Sequence, residues 1–290
     1  MSPSSGEPTA PRLPESDAEQ RRLTISGDLP ALNALVRALE PGVYNMALRM
    51  LGQRDDALNA TQDILVRVVT HLASFKGDAA FSTWVYRIAR NQMLTVATRA
   101  RESPEVSFES IDERLATGLT LYHPSMAPLS PLDKAEARDI ALNCTQGMLM
   151  ALDREHRLAY VLDVIFGLTS AQAADVLEIT PAAHRQRLSR AKARLHEFMQ
   201  HTCGLVSEDA QCRCHRQLPA VRKQQGASES PSGSRVQLPT LDDTTLAYDQ
   251  LTDMFDAVAV MRAQPAFAAP EALTLAIRKA LAVSGWLKTT

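Results

Sequence analysis

The chain has 290 residues, 45% hydrophobic and 22% charged, enough apolar material for two modest domains with real cores, which excludes a wholly disordered protein. Aromatic residues make up only 5% and glycine only 12 residues, while good helix formers dominate, so an all-α protein is expected rather than a sandwich or barrel. No apolar run approaches the roughly 20 residues a membrane helix needs, and the first 30 residues carry no hydrophobic segment of the signal-peptide kind. A cytoplasmic location without membrane contact is expected.

The net charge of −2 conceals strongly blocked charge. Trp84 to Arg101 carries Arg87, Arg90, Arg99 and Arg101 and no acid; Pro181 to Arg194 carries Arg185, Arg187, Arg190, Lys192 and Arg194 and no acid. Two separate basic faces are the footprint of a nucleic-acid binder.

In chain order, residues 1–25 are polar and proline-rich and are expected to be a disordered tail. From Asp28 to Gly52, Leu32, Leu35, Val36, Leu39, Val43, Met46 and Met50 recur at helical spacing, with a break or bend expected at Pro41-Gly42. A second helix opens on Asp55-Asp56, whose carboxylates suit an N-terminus, and buries Leu58, Ile64, Leu65, Val68, Val69 and Leu72 before Gly77. Ser82-Thr83 offers the cap of a third, with Val85, Ile88, Ala89 and Met93 inward and Arg87, Arg90, Asn91 and Thr95 outward. These helices form one domain, 26–102. Residues 103–134, acidic and bearing Pro104, Pro124, Pro128 and Pro131, read as a flexible linker.

A second domain spans 135–200. Its end is the most specific part: a cap at Thr169 or Ser170, the short helix AQAADVLE, a turn at Ile179-Thr180, then Thr180 as cap and Pro181 at the first position of a basic helix. Helix, short turn and basic helix form the helix-turn-helix pattern. From it Arg185, Gln186, Arg187, Arg190 and Lys192 can reach base edges and phosphates in a major groove, while Leu188, Ala191 and Leu195 face a core.

His201, Cys203, Cys212 and Cys214 then fall within fourteen residues, a donor set that would satisfy tetrahedral zinc or serve redox chemistry; no cofactor is required, and zinc is the one this set could hold. Cys144 reads as a packing residue. Residues 201–240 are a cysteine-containing segment with a Gln/Ser/Gly/Pro linker, and 241–290 a helical C-terminal extension that could dock on the basic helix or recruit another protein. No glycine-rich phosphate loop, paired catalytic carboxylates or nucleophile elbow is present, so no enzyme is expected.

The string FKGDAAFSTWVYRIARNQ, Phe75 to Gln92, sets aromatics beside arginines, the combination needed to stack unpaired bases while holding phosphates. It resembles the −10-recognition and promoter-melting segment of extracytoplasmic function (ECF) sigma factors of the sigma-70 family. By that resemblance Trp84, Tyr86, Arg87, Arg90, Asn91 and Thr95 meet the −10 DNA. DDALNATQDILVRVV, Asp55 to Val69, is similar to the helix those proteins press against the β′ clamp of RNA polymerase, which assigns Asp56, Gln62, Asp63 and Arg67 to polymerase contact. The helix-turn-helix down to RQRLSRAKARL resembles their −35-binding region.

The resemblance covers roughly residues 28 to 200 and implies two helical domains, core RNA polymerase (β′ clamp and β flap) and promoter DNA as partners, and an anti-sigma factor as a further partner. The chain departs from the family at Asn59, usually an acid, at Thr95, often Asp, and at Glu178, often Gly, where a positive φ would cost about 1 kcal/mol. His184 stands where an apolar residue is usual and is expected to pack. The alternative reading is a stand-alone helix-turn-helix regulator binding duplex operator, or a metal or redox sensor with DNA binding as its output.

Overall fold

The computed structural model describes residues 11–99, 106–124, 128–226, 248–252, 255–262, 265–270, 272–283 and 286. The described residues form helices α1 (Ala18–Ile25), α2 (Leu29–Leu51), α3 (Arg54–Thr70), α4 (Phe81–Arg99), α5 (Phe108–Thr120), α6 (Pro131–Ala151), α7 (Arg154–Tyr160), α8 (Ser170–Leu177), α9 (Pro181–Thr202), α10 (Leu218–Gly226), α11 (Tyr248–Thr252), α12 (Ala257–Arg262) and α13 (Ala272–Val283). Among the described residues no strand is formed, and an isolated bridge joins Cys203 to Cys212. The all-α class expected from composition is the class observed.

Helices α2, α3 and α4 share a core of Val43, Met46, Ile64, Leu65, Val68, Val85 and Ala89. Asp28 caps α2 by accepting the Ala31 amide at 2.8 Å, and Pro30 sits in the first turn, where its missing N–H is harmless. The expected break at Pro41 is absent: α2 runs unbroken to Gly52, which ends it at φ 73°. An interior proline costs about 3 kcal/mol, but every residue from Gly42 to Met50 is buried, and that burial holds the helix together. Gly42 is also where Leu13 docks; a Cβ there would lie 2.7 Å from the Leu13 side chain.

That contact corrects the expectation of a disordered tail through residue 25. From residue 11 onward the segment is built into the fold: Leu13 is buried, Asp17 caps α1, and the Glu15 carboxylate accepts the Phe81 and Ser82 amides at 2.9 and 3.2 Å. Glu15, not Ser82 or Thr83, therefore satisfies the start of α4, which opens at Phe81, ahead of both expected caps.

The linker is also more ordered than expected. Ser107 and Ser110 form a reciprocal cap for α5, whose Ile111, Leu115 and Gly118 are buried. Phe108 stacks on Phe198 of α9, ring centroids 5.0 Å apart, under the Arg194 guanidinium. A stripe of three small or apolar residues in an acidic, proline-bearing stretch was too sparse a signal to outweigh composition. Helix α6 likewise begins inside the assigned linker, at a Ser130–Asp133 capping box.

Between the domains, Gln146 donates to the carbonyls of Leu48 and Arg49 at the end of α2. The buried Arg157 donates to the carbonyls of Met50, Leu149, Met150 and Leu152. One guanidinium thus satisfies the free ends of two helices, where a cation also suits the helix dipoles.

The C-terminal extension lies against both domains. Arg262 donates to the Val164 carbonyl, α12 packs on α9, and α13 packs on α3 and α2, burying Leu273, Ile277 and Leu281. Asn45 exchanges two hydrogen bonds with the Phe267 backbone, at 2.8 and 2.9 Å. The Gln/Ser/Gly/Pro stretch from Lys223 to Pro239 lies outside the described residues beyond 226.

Candidate nucleic-acid interface

Helix α4 presents the first basic face. Trp84 is half-buried in an aromatic cluster with Phe75 and Phe81, centroids 5.5 and 5.9 Å away. Arg21 of α1 lies over both phenylalanines, 5.1 and 5.6 Å from their centroids. Tyr86 is buried; its hydroxyl accepts the Leu13 amide at 3.2 Å, and burial pushes its pKa up to about 12. In this arrangement it has no face free for a base. Asn91 and Thr95 are exposed, with the Thr95 hydroxyl donating to the Asn91 carbonyl.

The two arginines expected at the −10 DNA meet α8 instead. Arg87 donates to the Asp175 carboxylate at 2.6 Å and its carbonyl at 3.2 Å. Arg90, only 9% exposed, donates to the Val176 carbonyl at 3.0 Å, to Glu178 at 2.5 Å and to Asn91. Both sit at the C-terminal end of α8, where orphan carbonyls and the helix dipole attract cations. Arg12 completes this side by donating to the carbonyls of Phe166 and Gly167 just before α8. The two DNA-reading modules are therefore latched onto each other through the surface one of them was expected to use.

The latch explains Glu178. It caps α8 in the left-handed region at φ 55°, the conformation anticipated where the family often has Gly. The strain is offset by its ion pair, and Arg90 holds the Glu178 carboxyl below its usual range. Asp175, Arg12 and Glu15 were not singled out from sequence, and Glu178 only for its backbone conformation. The recoverable signal was charge complementarity between acids on the outer face of α8 and arginines on the outer face of α4.

The second basic face is formed as expected. Thr169 and Gln172 make a reciprocal cap on α8, and Thr180 accepts the Ala183 amide at 3.1 Å to start α9 at Pro181. Leu188, Ala191 and Leu195 are buried, and so is His184, whose Nδ1 pairs with the Ser170 hydroxyl at 2.9 Å while burial lowers its pKa. Arg185, Gln186 and Arg190 are exposed. Arg187 instead pairs with Glu155 at 3.0 Å, and Lys192 lies 3.9 Å from Asp163, so these two stand closer to acids of their own domain than to an open groove.

On α3, Asp56, Asp63 and Arg67 are exposed and Gln62 is half-buried; Asp63 also accepts from Gln92 at 2.9 Å. Asp56, Asp63 and Arg67 share one exposed face of α3, with Gln62 to its side.

The cysteines depart from expectation. His201 is exposed and apart, while Cys144 of α6 joins Cys203, Cys212 and Cys214 around one apolar cavity with Leu115 and Met148. Burial raises all four thiols, Cys203 to about 11. Among the described residues no group of three or more His, Cys, Asp or Glu side chains is arranged to hold a metal ion. Of the donors expected from sequence, the three cysteines line this cavity and His201 is exposed at the end of α9.

The fold and its two faces define a helical protein with two DNA-reading modules, one a helix bundle with an aromatic-basic helix and the other a helix-turn-helix. Residues 35–102 match Sigma-70 region 2, and residues 142–195 match Sigma-70, region 4. The chain is 27% identical over 172 residues to the ECF RNA polymerase sigma factor SigW of Bacillus subtilis, covering 59% of this chain and 90% of that protein. It is 28% identical over 188 residues to the ECF RNA polymerase sigma factor SigM of Mycobacterium tuberculosis, covering 65% and 87%. A solved structure, the sigma factor RpoE with the anti-sigma factor NepR from Bartonella quintana, aligns at 19% identity and a TM-score of 0.37, covering 63% of this chain and 95% of that one. The chain belongs to the sigma-70 family, in its ECF group. Among the described residues no helix is long and apolar enough to cross a membrane.

Proposed function

We propose that the chain is an RNA polymerase sigma factor that binds core polymerase, directs it to promoters and helps open the −10 DNA. The observation that carries this reading is the presence in one chain, in family order, of a region 2 bundle and a region 4 helix-turn-helix. In this reading the open surface of α3 with Asp56, Gln62, Asp63 and Arg67 meets the β′ clamp, and region 4 lies near the β flap. Arg185, Gln186 and Arg190 read the −35 element from the exposed face of α9, with Arg187 and Lys192 joining once they leave Glu155 and Asp163. Trp84, Arg87, Arg90, Asn91 and Thr95 engage the −10 strand once α8 has moved away, and Tyr86 once Leu13 has released it. The protein works in the cytoplasm, is no enzyme, and is held in check by an anti-sigma factor.

The test is run-off transcription from a library of upstream fragments with purified core polymerase, with and without this protein. Specific start sites that appear only with the protein support the reading. Absence of transcripts together with absence of core binding refutes it in favour of a stand-alone operator-binding regulator.

A further inference from the structure

The turn after α9 brings two thiols together by backbone design. Cys203 and Cys212 are partners in the isolated β-bridge, and the Gly204 amide donates to the Cys212 carbonyl at 2.8 Å. Gly204 permits this approach: a Cβ there would lie 2.5 Å from the Cys212 carbonyl oxygen and closer still to the Arg213 guanidinium. Bridged strands run about 4.8 Å apart, inside the roughly 4.4–6.8 Å between Cα atoms that a disulfide spans. Both cysteines are unpaired, and both line the same cavity. That cavity has a volume of about 20 Å³, room for a molecule of about one water's size.

We propose that Cys203 and Cys212 form a reversible oxidation site, closed to a disulfide by hydrogen peroxide. Cys212 is the more accessible thiol, flanked by Arg213 and Arg216 and accepting from Gln217 Nε2 at 3.6 Å. Its sulfur attacks one peroxide oxygen; the O–O bond breaks, one water leaves, and Cys212 becomes a sulfenic acid. The Cys203 sulfur then attacks the Cys212 sulfur, expelling a second water as the S–S bond forms. In balance, two thiols lose two electrons and two protons, and one peroxide is reduced to two waters. A thiol reductant reverses the step. Cys144 and Cys214 sit against the same cavity but outside the bridge.

The site has a mechanical connection to the rest of the molecule. Cys203 ends α9 with its N–H donating a hydrogen bond to the Met199 carbonyl, and the segment after Cys212 leads to Gln217, which donates to the Leu115 carbonyl of α5. A bond between the two cysteines ties the end of the helix-turn-helix to the segment that holds the linker helix.

The test uses the full reduced chain, exposed to hydrogen peroxide, alkylated and digested with trypsin. Cys203 and Cys212 share the peptide Leu195–Arg213, whereas cleavage after Arg213 places Cys214 in the next one. The expected product is that peptide two hydrogens lighter and unalkylated, restored by reductant. A second cut at Glu208 should leave its halves joined. Cys212→Ser should return Cys203 to the alkylated pool. The same oxidation in urea, where Cys203 has Cys212 and Cys214 at nearly equal chain distance, should lose the preference. A bond from Cys203 to Cys214 or Cys144, four alkylatable thiols after treatment, or the same partner ratio in urea would each overturn the proposal. The experiment needs neither polymerase nor DNA, so its failure is distinct from failure of the sigma-factor reading.

Discussion

Neutralising the latch should free the −10 face. The double variant Asp175→Asn, Glu178→Gln keeps the side-chain shapes and the backbone bonds from Arg87 to Asp175 and from Arg90 to Val176, but removes both carboxylate charges. The Arg87–Asp175 pair is 31% and 50% exposed, so its share is at most about 0.5 kcal/mol. The Arg90–Glu178 pair has one partner only 11% exposed, and a charge-assisted bond in that setting contributes about 1.5 kcal/mol. Together about 2 kcal/mol shifts a closed-to-open equilibrium about 30-fold. A protein that binds only when open gains apparent affinity by the same factor until the open form predominates. Fluorescence anisotropy with a single-stranded −10 oligonucleotide should therefore show tighter binding by up to about 30-fold at fixed salt. Removing two acids also strengthens non-specific attraction to DNA. The control is Glu208→Gln, Asp209→Asn, an equal charge change at exposed sites away from α4. If the latch variant gains no more than that control, the ion pairs do not restrain the arginines and the closed-state argument fails.

Three further outcomes follow from the packing. Glu178→Gly relieves about 1 kcal/mol of left-handed strain and forfeits a half-exposed ion pair, so its denaturation midpoint should stay near wild type, whereas Glu178→Ala loses the pair, keeps the strain and should be less stable by about 1–2 kcal/mol; equal stabilities for Gly and Ala would show that no strain is stored there. Phe267→Ala empties a buried site over Arg49, a cation itself buried with Nε and Nη1 unpartnered among the described residues, and should cost about 3 kcal/mol and expose the extension to limited proteolysis; unchanged proteolysis would separate the extension from the region 2 core. The Asp133 carboxyl is held down to about 2 by the Ser130 hydroxyl and the Arg222 guanidinium, so the stabilisation it gives α10 should be complete above its ordinary value of 3.8 and vanish as the pH falls towards 2; a carboxyl titration with its midpoint near 4 would contradict that pairing.

The elements whose signals are local were legible in the sequence. Thr180-Pro181 fixed the start of α9, and the spacing of Leu188, Ala191 and Leu195 fixed its buried face, because caps and periodicity act within a few residues. What could not be read were contacts between distant segments that are individually weak. Leu13 is a single apolar residue in a polar tail, and only the notch at Gly42 gives it somewhere to go. Cys144 had no motif of its own; it lies beside Cys214 because α6 packs against the turn that follows α9. His201, two residues from Cys203, looked the better partner, but the last turn of α9 points it into solvent. The aromatic-basic string was legible as a pattern, but its arginines meet carbonyls and acids of α8 that composition counts only as a surplus elsewhere.

In the proposed reading the two faces of region 2 are in different states, and this orders the events of initiation. Helix α3 leaves Asp56, Asp63 and Arg67 exposed even with α13 in place, while α8 covers Arg87 and Arg90 on α4. Core polymerase can therefore dock on α3 without opening the latch, whereas −10 DNA cannot reach its arginines until α8 moves. A charge reversal at Asp56 and Arg67 should weaken core binding by at least tenfold, about 1.4 kcal/mol, and leave single-stranded DNA binding unchanged. The latch variant should do the reverse, tightening DNA binding with core affinity within about twofold of wild type. A latch variant that also bound core polymerase about tenfold more tightly would show that docking itself requires the open form, and the order of events would have to be inverted.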